Sequence, residues 1–462
     1  MSTLKKYYQL GILFLSLITG TLSACNKFVE IEPAPDLIQT SNLFNDESSA
    51  ESAIRGVYVQ LQSIRPSIAG GSMTIYCGLS ADELISESSI SEYNSFYKNA
   101  VDPTSTILNS QFWTASYRVI YRTNAIIEGL SRSSNITSAK KNTFLGEMKT
   151  IRAFSYFSLV NIFGEIPLIT STNYAVNDQK PRTSIDSVYK QILTDLTEAV
   201  DLLPEYYSSP FRSRINKYTA TALLARLYLY RKDWEKAEKS SSNIISSGMY
   251  SLPQNLETMF KNTGNETIWQ LAPTNESYNT SEAAKFIPSS PGSVPRLLLT
   301  ETILNIFEQE DLRKTHWIGS NVVNGNIYYF PYKYKNRSRN FIDEYTIVFR
   351  LAEQYLIRAE ARMQLDNIEG ALEDINTIRE RAGLPHLSTT SKSELANAIQ
   401  KERQIEFFAE FGHRWFDLKR TASLDQVLSP IKGTDWQSTD SLYPIPFNEI
   451  LYNSALLQNA GY

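Results

Sequence analysis

The chain has 462 residues, 42% of them hydrophobic, and a formal net charge of −4. The apolar content suffices for a sizeable core, and the mildly acidic balance, with no long block of one sign, gives nucleic acid no footing. Beyond Cys25 the only cysteine is Cys77, and no Cys/His cluster exists, so neither a structural metal nor an intramolecular disulfide is expected once Cys25 is modified.

The N-terminus carries Lys5 and Lys6, then an apolar run from Leu10 to Gly20, then Leu22-Ser23-Ala24-Cys25. A charged start, an apolar stretch and a small-residue cleavage site make a secretory signal. The run is shorter than the ~20 apolar residues a spanning helix needs, and Gly and Thr interrupt it. A cysteine directly behind the cleavage point resembles a bacterial lipoprotein signal. That resemblance implies removal of residues 1–24, a diacylglycerol on Cys25 and an acylated new N-terminus, anchoring the chain to a membrane without spanning it. The other reading is an ordinary signal with a chance cysteine.

Residues 26 to 47 read as a tether, because Glu32-Pro33-Ala34-Pro35-Asp36 forbids helix. A helix is predicted from about Asp46, burying Ala50, Ile54, Val57 and Leu61, with Gly70-Gly71 ending that element. Residues 86 to 110, rich in Ser, Asn and Tyr, read as irregular loop. A second helix from about Ser110 to Leu130 is predicted to bury Phe112, Trp113, Tyr117, Ile120, Tyr121, Ala125, Ile126 and Leu130. Residues 147–160 are apolar nearly all round, which predicts a central helix, closed by Gly164 and Pro167. Ser184 to Leu203 reads as an amphipathic helix stopped by Pro204.

Residues 225–237 can be laid on 359–371 at a constant offset of 134. Each copy reads as helix, short polar turn, helix, with Asp233 and Asn367 as caps of the second helix. Such hairpins resemble tetratricopeptide units, here separated by long insertions rather than in tandem. The insertion 252–343 is Pro-rich, with short β-like runs at 267–271 and 326–330 and one helix near Leu299–Glu308. Loops of this kind on a helical scaffold are where binding usually sits. Lys333, Lys335, Arg337 and Arg339 alternate with Tyr332 and Tyr334 as a strand with one basic face would. A solvated hairpin and a contact for an anionic glycan both fit that pattern.

Two segments carry a specific resemblance: 152–168, from Arg152-Ala153-Phe154 to Gly164-Glu165-Ile166-Pro167-Leu168, and 402–420, from Glu402-Arg403-Gln404 to His413-Arg414-Trp415-Phe416-Asp417. Residues 349–361, Tyr443-Pro444-Ile445-Pro446 and Gln458-Asn459-Ala460-Gly461-Tyr462 add ordered matches. The chain resembles the SusD/RagB family of outer-membrane nutrient-binding lipoproteins of the Bacteroidetes. The resemblance implies a mainly α fold with four tetratricopeptide-like helix pairs and a loop-rich variable face bearing short strands. It divides the chain into the signal 1–24, an N-terminal region 25–250 and a C-terminal region 251–462. It further implies capture of glycans, sometimes peptides, at the cell exterior for import through a partner SusC-like TonB-dependent barrel, with no cofactor and no catalysis. A purely structural lid on that barrel, or a surface glycan-degrading enzyme, are the alternatives.

Glu402, Glu406 and Glu410 recur every four residues on one helical face, with Arg403, Arg414 and Arg420 nearby as expected partners, so this signature reads as a structural ion-pair network. The competing reading, a glycosidase acid/base pair, requires two carboxylates facing a cleft. His413 reads as structural, since no HExxH or other ligand spacing surrounds it. Family ligands are held by aromatics of the loop before the second helix and of the middle insertion. Here those stretches offer Tyr93, Asn94, Phe96 and Tyr97, then Trp269, Tyr278, Trp317 and Tyr328, of which Tyr97 and Trp317 sit among polar neighbours. Aromatic faces cover the C–H face of a pyranose; the other reading is that each ring packs into its own loop.

Cys25→Ala is expected to release the protein from membranes or stall its processing. Metabolic labelling with a fatty acid checks it: equal label in parent and variant would rule out the lipid anchor.

Overall fold

The structure, a computed structural model, describes residues 43–462 except 63–66, 88–89, 275–276 and 339. The signal, Cys25, residues 26–42 of the tether and Arg339 lie outside the described residues. The principal helices run as α1 (Glu47–Leu61), α2 (Ser91–Tyr97), α3 (Thr114–Arg132), α4 (Ser138–Phe163), α5 (Ile185–Leu202), α6 (Lys217–Tyr230) and α7 (Trp234–Ile245). They continue as α8 (Ser281–Phe286), α9 (Leu312–Trp317), α10 (Leu351–Gln364), α11 (Ile368–Arg381), α12 (Lys392–Phe407), α13 (His413–Arg420) and α14 (Phe447–Tyr452). The strands are β1 (Leu84–Ile85), β2 (Thr267–Leu271), β3 (Leu298–Leu299), β4 (Ile318–Val323), β5 (Asn326–Pro331) and β6 (Thr346–Arg350). Among the described residues they form three antiparallel pairs, β1–β3, β2–β6 and β4–β5. The fold is mainly α.

Asp46 caps α1 by accepting from the Ser49 amide at 2.9 Å, and the helix buries Ala50, Ile54, Val57 and Leu61. The two glycines do not end it. They kink a second, wholly buried helical stretch, Ile68–Cys77, in which Gly71 has φ +97° and a Cβ would stand 2.9 Å from Ser281 Cβ. The stretch read as loop contains α2. Its Ser/Asn-rich sequence has weak helix propensity, but burial of Tyr93 and Phe96 overrides that. On α3, Tyr121 departs from the expected buried face and is 57% exposed, lining a cleft instead of the core. Helix α4 is buried along most of its length. It stops at Gly164, whose φ of +74° and close approach to Leu442 admit no side chain without strain.

The internal repeat is a repeat of structure. Helices α6 and α10 begin at Lys217 and Leu351, and α7 and α11 at Trp234 and Ile368, each pair offset by 134. The turns match as well: Lys232 and Asp366 both have positive φ, and Asp233 and Asn367 each accept from the amide three residues on. Buried Ala225, Ala237, Ala359, Ala361 and Ala371 let these helices approach closely. Between hairpins, Arg226 forks onto Glu353 at 2.6 and 2.8 Å, and Arg362 meets Glu238 at 3.0 Å. The main apolar cluster draws residues from Phe44 to Leu456, so the core continues across residue 250.

The signature carboxylates lie at the centre of a buried ion-pair network, but with other partners than the neighbouring arginines. Arg313, fully buried, reaches Asp311 at 2.8 Å, Glu402 at 2.6 Å and Glu406 at 2.9 Å. Arg350 meets Glu406 at 2.5 Å, Glu410 at 2.8 Å and Glu266 at 2.9 Å, and Arg381 bridges Glu266 and Glu406. Lys333 donates to the Glu406 carbonyl and to Glu410. Arg403, one position round the helix from Glu402, instead pairs with Asp417; Arg414 takes Asp82, and Arg420 takes Glu360 and Asp417. Arg152 of the first signature forks onto Asp195 at 2.6 and 2.8 Å and donates to Asn124. His413 is buried and stacked on Phe407, and burial holds its pKa well below the usual value.

Four of the aromatic ligand candidates belong to the core: Tyr93 and Phe96 of α2, and Trp269 and Trp317. Trp269 has no exposed surface and packs edge-on to Phe154. Trp317 is equally buried, its indole N–H facing the Leu256 carbonyl at 3.4 Å and the Lys333 ammonium over its ring at 4.7 Å. Polar sequence neighbours were a poor guide at Trp317, because α9 turns that side chain inward. The basic alternation after Tyr332 is no strand: β5 ends at Pro331, and Lys333 is buried in the network.

Glu406→Ala is expected to lower stability by about 3–5 kcal/mol, since it strands three buried cations. Burial alone would raise the Glu406 carboxyl, but Arg381, Arg350 and Arg313 hold it well below 4.5. On acidification the unfolded chain therefore takes up the proton first, so this contribution is full above about pH 4.5 and is lost below it. Urea midpoints at pH 7 and across the acid range check both: the parent should fall below pH 4.5 more steeply than Glu406→Gln. Trp317→Ala is expected to cost about 3–5 kcal/mol as a core truncation; a variant that melts like the parent while losing ligand would place the ring at the surface.

Candidate functional site

The remaining candidates cluster on one face, around α2, the segment 277–296 and the β4–β5 hairpin. Helix α2 is pinned from below. Phe96 and Tyr93 point inward, the Phe96 ring 4.6 Å from that of Tyr76. The buried Lys432 ammonium donates to the carbonyls of Leu79, Ser80 and Tyr97 at 2.7–3.0 Å and to Asn99 Oδ1 at 2.6 Å. Burial pushes its pKa down to about 7. That ammonium also lies over the Tyr97 ring at 5.3 Å, so one face of Tyr97 is occupied; Tyr97 and Asn94 are half-buried. Tyr328 is half-buried on β5, opposite Asn321.

Beside them opens a pocket of about 520 Å³, lined by Tyr278, Lys285, Ile287, Pro288, Arg296 and Arg337 among others. Its walls are held by directed bonds. Thr280 caps α8 by accepting from the Ala283 amide at 3.1 Å, and Phe286 is buried beneath. Ser293 closes a turn onto the Ser290 carbonyl at 2.9 Å, while its own carbonyl accepts from Asn321 at 2.7 Å, tying the loop to the hairpin. Arg337 donates from Nε to the Ile287 carbonyl at 3.2 Å. Opposite Ile85 and Leu84, β3 fixes the chain immediately after Arg296. Burial lowers the Lys285 pKa, and the Arg296 guanidinium lowers it further.

Of the residues singled out from sequence, Tyr278 and Arg337 line this pocket, and Tyr93 lies within electrostatic reach of Arg296. Lys285 and Arg296 were not singled out. Each is an isolated cation in its own stretch, and only the folding of 281–296 onto the hairpin brings them together.

A second cleft, about 720 Å³, lies between α3, residues 167–178 and α14, with Trp113, Tyr117, Tyr121, Tyr174 and Tyr452 among its lining. Tyr174 and Tyr452 are 75% and 80% exposed. No sequence signal joins residues so far apart in the chain.

The spaced carboxylates of the second signature do not form a catalytic pair at either site. Glu402 and Glu406, the carboxylates with regular spacing, are buried and engaged by arginines, so they face no cleft. Among the described residues no group of His, Cys, Asp and Glu could hold a metal ion, and no helix is long and apolar enough to cross a membrane.

Comparison with known proteins agrees with this architecture. Residues 204–462 match the family model described as SusD family, and residues 30–229 match one described as "Starch-binding associating with outer membrane". SusD-like protein P38 of Formosa agariphila is 27% identical, covering 99% of this chain and 100% of its own. A SusD superfamily protein of Bacteroides vulgatus superposes with a TM-score of 0.81 at 23% identity, over 90% of this chain and 99% of that one. A laminarin-binding SusD-like protein superposes at 0.77 with 23% identity, over 90% and 100%. With the fold and the signature segments both accounted for, the chain belongs to the SusD family.

Proposed function

We propose that this protein is a surface glycan-binding lipoprotein that holds a glycan in the Tyr278 pocket. In this reading it is tethered to the outer membrane through Cys25 and passes its ligand to a SusC-like TonB-dependent barrel, without chemistry of its own. The observation that carries the reading is the pocket itself. Its volume of about 520 Å³ suits one or two sugar units, and its shape is set in advance by the Thr280 cap, the Ser290–Ser293 turn and the Asn321 bond. Tyr278 supplies an aromatic face, and half-buried Tyr328 stands opposite Asn321, which bonds the Ser293 carbonyl of the lining. Laminarin binding by a protein of the same fold and the starch-binding description of the matching family support a glycan over a peptide. Outer-membrane association in that description supports the location.

The full-length chain in detergent, screened against a glycan array and a peptide library, is expected to bind a glycan. Tyr278→Ala should weaken that binding about tenfold or more, a change of about 1.4 kcal/mol, with an unchanged melting temperature. Peptide binding alone, or no binding, overturns the reading. Full binding by Tyr278→Ala together with loss in Tyr121→Ala would move the site to the second cleft.

A further inference from the structure

We propose that the glycan taken by the Tyr278 pocket is acidic, and that Lys285, Arg296 and Arg337 seat the carboxylate or sulfate ester of one of its sugar units. The inference rests on the glycan reading above and specifies its ligand class.

Three cations line this pocket without a counter-charge among the described residues. The buried arginines of this chain are closely paired: Arg152, Arg226, Arg313, Arg350, Arg381 and Arg403 each have a carboxylate within 2.9 Å. The three pocket cations differ. Among the described residues no carboxylate lies within ion-pair distance of Lys285, Arg296 or Arg337, and the pocket lining contains no acidic side chain. Glu92 and Arg296 both act on Tyr93, yet the two are not within ion-pair distance, and the Glu92 carboxylate accepts from the Ser91 hydroxyl at 3.3 Å. Overall the chain is acidic, with 49 Asp and Glu against 45 Lys and Arg, so three cations gathered in one lining without an ion pair among the described residues do not follow from composition.

Lys285 is half-buried, and both burial and the Arg296 guanidinium disfavour its charged form. Like charges held together in a partly desolvated wall destabilise one another unless an anion enters between them. Arg337 is already oriented by its Nε bond to the Ile287 carbonyl, which leaves its two terminal nitrogens free of other bonds among the described residues. A guanidinium fork presents paired donors that match a carboxylate or a sulfate, with a lysine ammonium as a point charge beside it. Tyr278, with Ile287 and Pro288, offers apolar surface for the ring that carries the acid.

Titration calorimetry on the full-length chain in detergent tests the idea with four probes. These are oligogalacturonate, its methyl ester, a sulfated carrageenan oligosaccharide and a neutral laminarin oligosaccharide. The expected result is binding of oligogalacturonate or of the sulfated probe, which separates the two sources of the anion. In the first case the methyl ester should bind about tenfold or more weakly. Affinity for the acidic probe should fall at about 0.5 M salt, as it must for half-exposed charges. It should fall about tenfold or more in Arg296→Gln/Arg337→Gln, a surface variant whose melting temperature should match the parent. Binding of laminarin with both acidic probes inert overturns the inference and leaves the glycan reading standing. So does acidic binding undiminished in the double variant. Absence of binding to all four probes, with no glycan found on the array, overturns both.

Discussion

The fold depends on one buried carboxylate. Glu406 on α12 accepts from Arg313 at the start of α9, Arg350 at the end of β6 and Arg381 at the end of α11, and Glu266 bridges the last two. Five stretches of chain, that of Glu266 included, are thereby held at one point with almost no exposure. Desolvating so many charges is expensive, and a buried pair is a weak argument for net stability. Its value lies in geometry. Guanidinium forks accept few arrangements, so the network specifies how the C-terminal helices meet the insertion.

That junction carries the variable face. Lys333 ends one arm of the network on Glu410, and the chain on either side of it forms the β4–β5 hairpin and the loop bearing Arg337. The hairpin holds the 287–296 loop through Asn321, and β1–β3 holds the far end. A pocket assembled from loops is thus referred back, bond by bond, to a rigid helical body. Loops alone would be too mobile to keep three like charges near one another.

The tyrosine- and tryptophan-rich composition divides between two roles. Trp269, Trp317, Tyr93 and Phe96 fill the core, where rings meet edge to face or tilted. Tyr278 at the pocket and Tyr121, Tyr174 and Tyr452 at the second cleft remain accessible. Residue type does not separate the two groups. A ring beside Lys or Thr in sequence can still point inward, because neighbours in a helix face different directions.

Patterns with a short period were legible in the chain itself: the buried stripe of α1, the all-round apolar α4 closed by Gly164, and the hairpin repeat with its Asp233 and Asn367 caps. So were the segments that mark the SusD family. Each of these depends on residues within a few turns of one another, where spacing dictates structure. Helix α2 was not legible, because its stability comes from Tyr76 and Lys432 rather than from its own propensities. The regular glutamates 402, 406 and 410, the last just beyond the end of α12, announced a charged network, yet their partners lie from 23 to 93 residues away in the chain, beyond any local rule. The pocket was the least legible feature. Lys285, Arg296 and Arg337 are ordinary surface cations until tertiary contacts bring them to one wall, and a site made by long-range packing leaves no periodic trace in the sequence.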